Sequence, residues 1–260
     1  MKLFAYALRK EDELVYLDAL SHELGFEYAW TPGYPTLENA GLVEGHDAVS
    51  VITNPVGPGL LDAYHERGVR GIATRSIGYE HIDLTHARKL GVRVAHAAYP
   101  PEGVANYAIM LMMMALRKAK FVLGQEATQD FSLRGKLGRD LSSCTVGVVG
   151  TGAIGTCVVR HLSGFGCRIL AFEPVEKDEA KRYATYVDLD QLLSESDVVT
   201  LHAPGFASNH HMIGAAELAR MRKGAVLVNA ARGSLVDTPA LVDALESGRL
   251  GGAALDTIEH

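Results

Sequence analysis

Cysteine is scarce in this chain, and its few positions exclude two architectures at once. Three cysteines (Cys144, Cys157 and Cys167) make an odd number with no C-x-x-C pair among 260 residues. A disulfide framework or a cysteine zinc site needs more. They read instead as small buried residues or free thiols of a reducing compartment, so a cytoplasmic protein is expected, and no metal site is read from the sequence. Positive charge is also short: 25 Lys and Arg against 31 Asp and Glu give a net charge of −6. That balance argues against nucleic acid or an anionic membrane as partner. Long apolar runs are missing too. The most apolar stretch, 104–116 (VANYAIMLMMMAL), is thirteen residues, whereas a helix crossing a bilayer needs about 20. It reads as a buried or subunit-interface helix. The six-residue apolar run before the first charges at the N-terminus is too short for a signal peptide. No repeat or low-complexity segment occurs.

Against these absences stands one information-rich stretch, 145–173 (TVGVVGTGAIGTCVVRHLSGFGCRILAFE). An apolar run, 146–149, reads as a buried strand. Gly150, Gly152 and Gly155 then give G-x-G-x-x-G, followed by a helical pattern and a second apolar run, 168–172, ending in Glu173. The first glycine permits a tight turn, the second lets backbone approach a pyrophosphate, and the third lets helix pack on strand. Thr151, Ala153 and Ile154 complete a loop whose N–H groups meet phosphate at the positive end of the helix dipole. Glu173 lies 23 residues past Gly150, near the offset of about 20 at which a carboxylate accepts from ribose hydroxyls. That acid repels a 2′-phosphate, so NAD is the expected cofactor; Lys177 and Lys181 nearby keep NADP open.

Around this unit, strand-like and helix-like runs alternate along the chain. In the first part, strands are expected at 3–8, 26–30, 47–52, 69–74 and 92–96. Helices fall at 11–24, 60–67 and 84–90, closed by Gly25, Gly68 and Gly91. Tyr99-Pro100-Pro101 interrupts the pattern, since two prolines lock φ and push the preceding residue towards an extended conformation. A helix from 102 to about 118 follows, then a polar segment, 119–143, expected to wrap the outside. Strands at 197–201, 225–229 and 253–255 complete the second part, and Asp237 or Thr238, with Pro239 and Gly248, brackets its last helix. The expected class is α/β with two parallel sheets covered by helices. The division is a substrate-binding domain at 1–98 and a dinucleotide-binding domain at 99–260.

Five blocks together resemble the D-specific 2-hydroxyacid dehydrogenase family: TRSIGYEHIDL (74–84), AAYPPEGVANYA (97–108), VGVVGTGAIG (146–155), SDVVTLHAP (196–204) and VLVNAARGSLVDTPALVDALESGRLGGAALD (226–256). TRSIG–EHID, Tyr99 and GFGCR (164–168) are most similar to the D-lactate dehydrogenases of glycopeptide (vancomycin) resistance. The resemblance implies a flavodoxin-like substrate domain, a Rossmann NAD-binding domain, and hydride transfer between NAD(H) and a small 2-keto acid, pyruvate to D-lactate foremost. It also implies a homodimer through helix 104–116.

Residue by residue, the resemblance makes Arg232 the substrate arginine; a guanidinium binds carboxylate through two parallel bonds and polarises a neighbouring carbonyl. Ser76, Ile77 and Gly78 become a backbone cradle for the substrate carboxylate. Tyr99 either donates to the keto acid or packs in the domain hinge. His202, Ala203 and Pro204 wall the cofactor ribose, Ala230 and Ala231 lie beside the cofactor, and Asp256 contacts the nicotinamide amide side. The family's proton-transfer pair is a glutamate and a later histidine. Its spacing puts the glutamate at 261, one past the last residue, so the chain is expected to be C-terminally truncated. Glu259 and His260 are out of register as substitutes, and no catalytic histidine is named. Other 2-hydroxyacid dehydrogenases (phosphoglycerate, formate) and a nucleotide-sensing protein on the same fold are the alternatives.

Overall fold

A computed structural model describes residues 1–259; His260 lies outside the described residues. The chain divides into two compact units, Met1–Tyr99 and Pro100–His260.

The first unit builds one parallel sheet from β1 (Lys2–Ala5), β2 (Glu27–Trp30), β3 (Ala48–Val51), β4 (Gly71–Thr74) and β5 (Arg93–His96), in the order β2-β1-β3-β4-β5. That is the flavodoxin-like 2-1-3-4-5 order. Three helices connect the strands: α1 (Leu14–Leu24), α2 (Pro58–Glu66) and α3 (Leu84–Lys89). Their ends follow local chemistry. Gly25 closes α1 in the left-handed region, Pro58 opens α2, and the Asp83 carboxylate accepts from the His86 N–H at the start of α3. Tyr6, Val49, Val51, Leu61, Tyr64 and Ile72 fill the core.

Two boundaries of this unit differ by three residues from the sequence expectation. β1 stops at Ala5, because Ala7 takes φ +50° and its N–H bonds the Gly33 carbonyl, turning the chain off the sheet. α1 starts at Leu14 rather than 11, because Glu13 is drawn aside by the Arg9 N–H and the Arg75 guanidinium.

The second unit opens with α4 (Glu102–Leu116) and then α5 (Ala119–Glu126). The latter lies in the polar segment expected to wrap the outside, where the sequence pattern marks no helix; none of its residues is buried, so no apolar stripe announced it. β6 (Thr145–Val149), α6 (Ala153–Ser163) and β7 (Arg168–Phe172) form the glycine-rich unit. After α7 (Asp178–Lys181) come β8 (Thr185–Tyr186), α8 (Leu189–Glu195), β9 (Val198–Leu201) and α9 (Ala215–Arg220). The unit ends with β10 (Ala225–Asn229), α10 (Thr238–Glu246) and β11 (Leu250–Leu255). All six strands are parallel, in the order β11-β10-β9-β6-β7-β8. Numbered from β6 this is the Rossmann order 3-2-1-4-5-6, read from the far edge.

Period-two alternation decides how this sheet packs. Val146, Val148, Val198, Val226 and Val228 face one layer with Met112, Val158 and Leu162. Val149, Val199, Leu201 and Leu227 face the other with Leu192, Leu218 and Leu241. Both faces are therefore dry, which explains the continuous apolar strands. β11 starts at Leu250, before the expected 253, since Gly251 fits where a Cβ would sit 2.4 Å from the Gly224 carbonyl oxygen.

Candidate active site

In open α/β sheets ligands bind beyond the carboxyl ends of the strands, where the strand order reverses. In the second unit that point lies between β6 and β9, where the glycine loop stands. Its three glycines have different reasons to be glycine. Gly150 has φ +91°, and a Cβ there would lie 2.8 Å from the Ala203 N and the His202 carbonyl carbon. A Cβ on Gly155 would meet the Gly150 oxygen at 1.9 Å. Both are demanded by the protein itself. Gly152 is not: its φ is −63° and a Cβ would meet nothing within 4 Å. Open space over a glycine that the fold does not require is what a closely approaching ligand needs. Gly152 also starts α6 without any side-chain cap, so the first-turn N–H groups suit a pyrophosphate. The residues present fit a dinucleotide.

The loop is held in place by contacts invisible in the motif. Glu173 Oε2 accepts from the Thr151 N–H at 2.8 Å. Thr151 Oγ1 lies 2.7 Å from the Tyr186 hydroxyl, which accepts from the Lys177 N–H at 3.0 Å. Thr156 Oγ1 donates to the Thr151 carbonyl at 2.8 Å. Thr151 is completely buried. Tyr186 and Thr156 were not singled out from sequence; no local spacing connects them to the loop. Beside the loop opens a cavity of about 780 Å³, lined by Pro101, Gly152, Ala153, Arg160 and Lys177 together with the acids Glu102, Glu176 and Asp178. Lys181, a candidate partner for a 2′-phosphate, is instead paired with Glu176 at 3.0 Å and Asp178 at 3.4 Å.

From the glycine loop a continuous band of contacts runs across the strand ends to Arg232. The His202 N–H bonds the Val149 carbonyl at 2.7 Å, seating His202–Ala203 behind Gly150. His202 Nε2 is 3.0 Å from Thr200 Oγ1. Desolvation pushes its pKa down to about 4, so the ring is neutral near pH 7 and serves there as a packed, hydrogen-bonded wall. Pro204 leads to Gly205, where a Cβ would lie 2.8 Å from Arg232 Cγ; the arginine stem therefore crosses bare backbone. Arg232 itself is presented by buried Asn229. The Asn229 Oδ1 accepts from the Ala231 N–H at 3.0 Å and its Nδ2 donates to the Arg232 carbonyl at 2.8 Å. This side-chain-closed turn carries Ala230 and Ala231, and Arg232 Nη1 donates to the Ala231 carbonyl at 2.8 Å. Asp256 is exposed at the end of β11, tied to β10 by its N–H on the Asn229 carbonyl at 2.9 Å. Asn229, like Tyr186, was missed as a positioning residue.

In the first unit, Ser76, Ile77 and Gly78 form the turn leaving β4. The Ser76 hydroxyl donates to the Gly78 carbonyl at 2.7 Å and stands 2.6 Å from Thr74 Oγ1. The hydroxyl thus shapes the turn. Arg75, just before it, is clamped on three sides: Nε to Glu13 Oε1, Nη1 to Ser50 Oγ, and Nη2 to the Tyr6 and Ala7 carbonyls, all at 3.0 Å. Tyr99 ends this unit with its side chain about half exposed.

A Rossmann sheet with an open glycine turn, and an arginine carried to the same end of the strands, define a dinucleotide-binding protein with a cation beside the cofactor site. Residues 109–260 match the family "D-isomer specific 2-hydroxyacid dehydrogenase, NAD binding domain". A D-specific alpha-keto acid dehydrogenase of Enterococcus faecalis is 48% identical over 223 residues, 85% of this chain and 68% of the relative. Among solved structures, apo D-lactate dehydrogenase from Escherichia coli superposes with a TM-score of 0.89 at 36% identity, covering 99% of this chain and 82% of that one. D-lactate dehydrogenase with NAD+ from Lactobacillus jensenii gives 0.82 at 30%, covering 100% and 80%. The chain belongs to the D-isomer-specific 2-hydroxyacid dehydrogenase family. It is an NAD-dependent enzyme of hydride transfer between 2-keto and 2-hydroxy acids.

Proposed function

We propose that the reaction is reduction of pyruvate to D-lactate, with NADH supplying the hydride and a proton drawn from solvent completing the alcohol. The observation that carries this reading is Arg232, set by Asn229 beside the strand ends that hold the glycine loop. Its guanidinium binds the substrate carboxylate and polarises the keto oxygen, lowering the energy of the oxyanion that develops there. The family resemblance gives the Ser76–Gly78 turn backbone N–H groups for a substrate carboxylate, and gives Tyr99 a place near the substrate. Residues 1–98 are the substrate domain in this reading, and 99–260 the cofactor domain.

Gly152 to Ile154 take the pyrophosphate, with Thr151 buried behind them as a support of the loop rather than the phosphate contact expected from the motif. Glu173 takes the adenosine ribose, and His202 to Pro204, Ala230, Ala231 and Asp256 border the nicotinamide half. The acidic walls of the neighbouring cavity and the pairing of Lys181 favour NAD over NADP. A homodimer through α4 accounts for Tyr107, Met110 and Met114, apolar side chains at helical spacing that are each about 40% exposed. Three free thiols, each pushed up in pKa by burial, fit a reducing cytoplasm. The role of the product, following the resemblance to the glycopeptide-resistance enzymes, is D-lactate for altered cell-wall precursors.

The test is NADH oxidation by the protein of the complete reading frame with a panel of 2-keto acids, and chiral analysis of the product. Pyruvate is expected to give the highest kcat/KM and a D product. An L product, or a clear preference for a bulky or phosphorylated keto acid, overturns the reading.

A further inference from the structure

Two histidines adjacent in sequence ordinarily project to different sides of the chain. Here they do not: His210 and His211 stack, with ring centroids 3.9 Å apart and planes 25° from parallel. His211 has φ +52°, in the left-handed region that residues other than glycine occupy rarely and at a cost. The turn aims both Nε2 atoms at one carboxylate. His210 Nε2 lies 2.9 Å from Glu259 Oε1, and His211 Nε2 lies 2.5 Å from Glu259 Oε2. One ligand atom from each of the three residues falls within 4.8 Å of the others.

The backbones carrying these groups are anchored. The His211 N–H bonds the Ser234 carbonyl at 2.8 Å, and Ile213 bonds Leu235 at 3.0 Å. The Glu259 backbone is seated on Gly233, where a Cβ would come within 2.5 Å of its nitrogen. On the far side of the His211 ring, Asp237 Oδ2 is 3.9 Å from Nδ1. Without an ion the ring N–H groups donate to the Glu259 carboxylate, which these bonds, that of His211 foremost, hold below the usual glutamate range. An entering ion takes the place of those protons, and the Asp237 charge on the Nδ1 side favours the tautomer that frees Nε2. The His210 side chain is 53% exposed, so an ion has a way in.

We propose that His210, His211 and Glu259 form a binding site for a divalent transition ion of the Zn2+ type, with water in the fourth position. Two imidazoles and a carboxylate are a recognised zinc donor set, and nitrogen donors disfavour Mg2+ and Ca2+. The ion stands outside the hydride-transfer chemistry. It ties the segment after β11 to the loop after β9, and both border Arg232: Gly205 lies against the arginine stem, while Gly233 follows it and carries Glu259. The site is thus a clamp on the setting of the substrate arginine.

The experiment titrates ZnCl2 into the chelator-treated 260-residue chain by calorimetry, with MgCl2 as control, beside His210→Ala and Glu259→Gln. Thermal unfolding of each protein is followed with and without zinc. The expected result is one Zn2+ per chain with micromolar or tighter affinity, a rise in Tm, no response to Mg2+, and at least tenfold weaker zinc binding in both variants. Co2+ in place of Zn2+ should give the intense visible bands of a tetrahedral site, lost in Glu259→Gln. Zinc binding no tighter than millimolar, or equal affinity in wild type and both variants (an ion held elsewhere), overturns the proposal.

Discussion

Gly152 and Gly155 belong to one motif, yet the structure predicts opposite consequences for the same substitution. In Gly155→Ala the new methyl would sit 1.9 Å from the Gly150 oxygen, an overlap with backbone that cannot rotate away. Overpacking of this kind costs about 3 kcal/mol or more, against about 1 kcal/mol regained from alanine's helix propensity. The net loss of about 2 kcal/mol corresponds to a Tm lower by roughly 4–8 °C for a unit of this size.

In Gly152→Ala the methyl meets nothing, and φ −63° suits alanine. Stability should stay within about 0.5 kcal/mol of wild type. The methyl would instead occupy the space through which the pyrophosphate approaches. A steric penalty of about 1–3 kcal/mol weakens NADH roughly 5- to 150-fold. Calorimetric unfolding and NADH fluorescence titration measure the two effects separately. An NADH affinity within twofold of wild type for Gly152→Ala would refute the argument. So would a Tm loss in that variant equal to that of Gly155→Ala.

Two further predictions concern the supports of the site. Replacing Arg75 by Met removes the partner of Glu13, whose side chain is only 16% exposed, and should destabilise the first unit by about 2–4 kcal/mol in denaturant unfolding. Burial works to raise the Glu13 carboxyl, but the Arg9 N–H and the Arg75 guanidinium outweigh it and hold it below the usual range; its contribution is therefore present above the ordinary glutamate pKa and lost as pH falls through the depressed value. His202, with its pKa pushed down from 6.5 to about 4 by desolvation, binds a proton more readily when unfolded. Stability should therefore fall as pH drops from 6.5 to about 4, by up to about 3 kcal/mol at 1.36 kcal/mol per unit. His202→Gln should flatten that limb of the stability profile; an unchanged acid slope would remove the ring as its cause.

The alternating strands and helices, the Rossmann unit and the family blocks were all legible in the sequence, because each is a local pattern of period or spacing. What escaped depends on contacts between distant residues. Nothing near Thr151 announces that Tyr186 fixes its hydroxyl, or that Glu173 reaches back to its N–H. Asn229 stood inside a recognised block, but its function as a turn clamp appears only once Ala231 and Arg232 fold over it. The α5 helix has no buried face and so left no periodic signal. The His210–His211 pair depends on a left-handed residue and on a carboxylate 48 residues away. Conversely, the expected start of α1 at 11 failed for a physical reason, the diversion of Glu13 into the Arg75 clamp.

The central claim is that Arg232 holds the keto acid through a two-pronged guanidinium while the glycine loop holds NAD independently. Titration of oxamate, an unreactive pyruvate analogue, into the NADH complex of wild type and Arg232→Lys tests it most directly. Loss of the paired charge-assisted bonds should weaken oxamate by about 2 kcal/mol, roughly thirtyfold, with NADH affinity unchanged. Equal oxamate affinity in the two proteins, or a parallel loss of NADH, would contradict it.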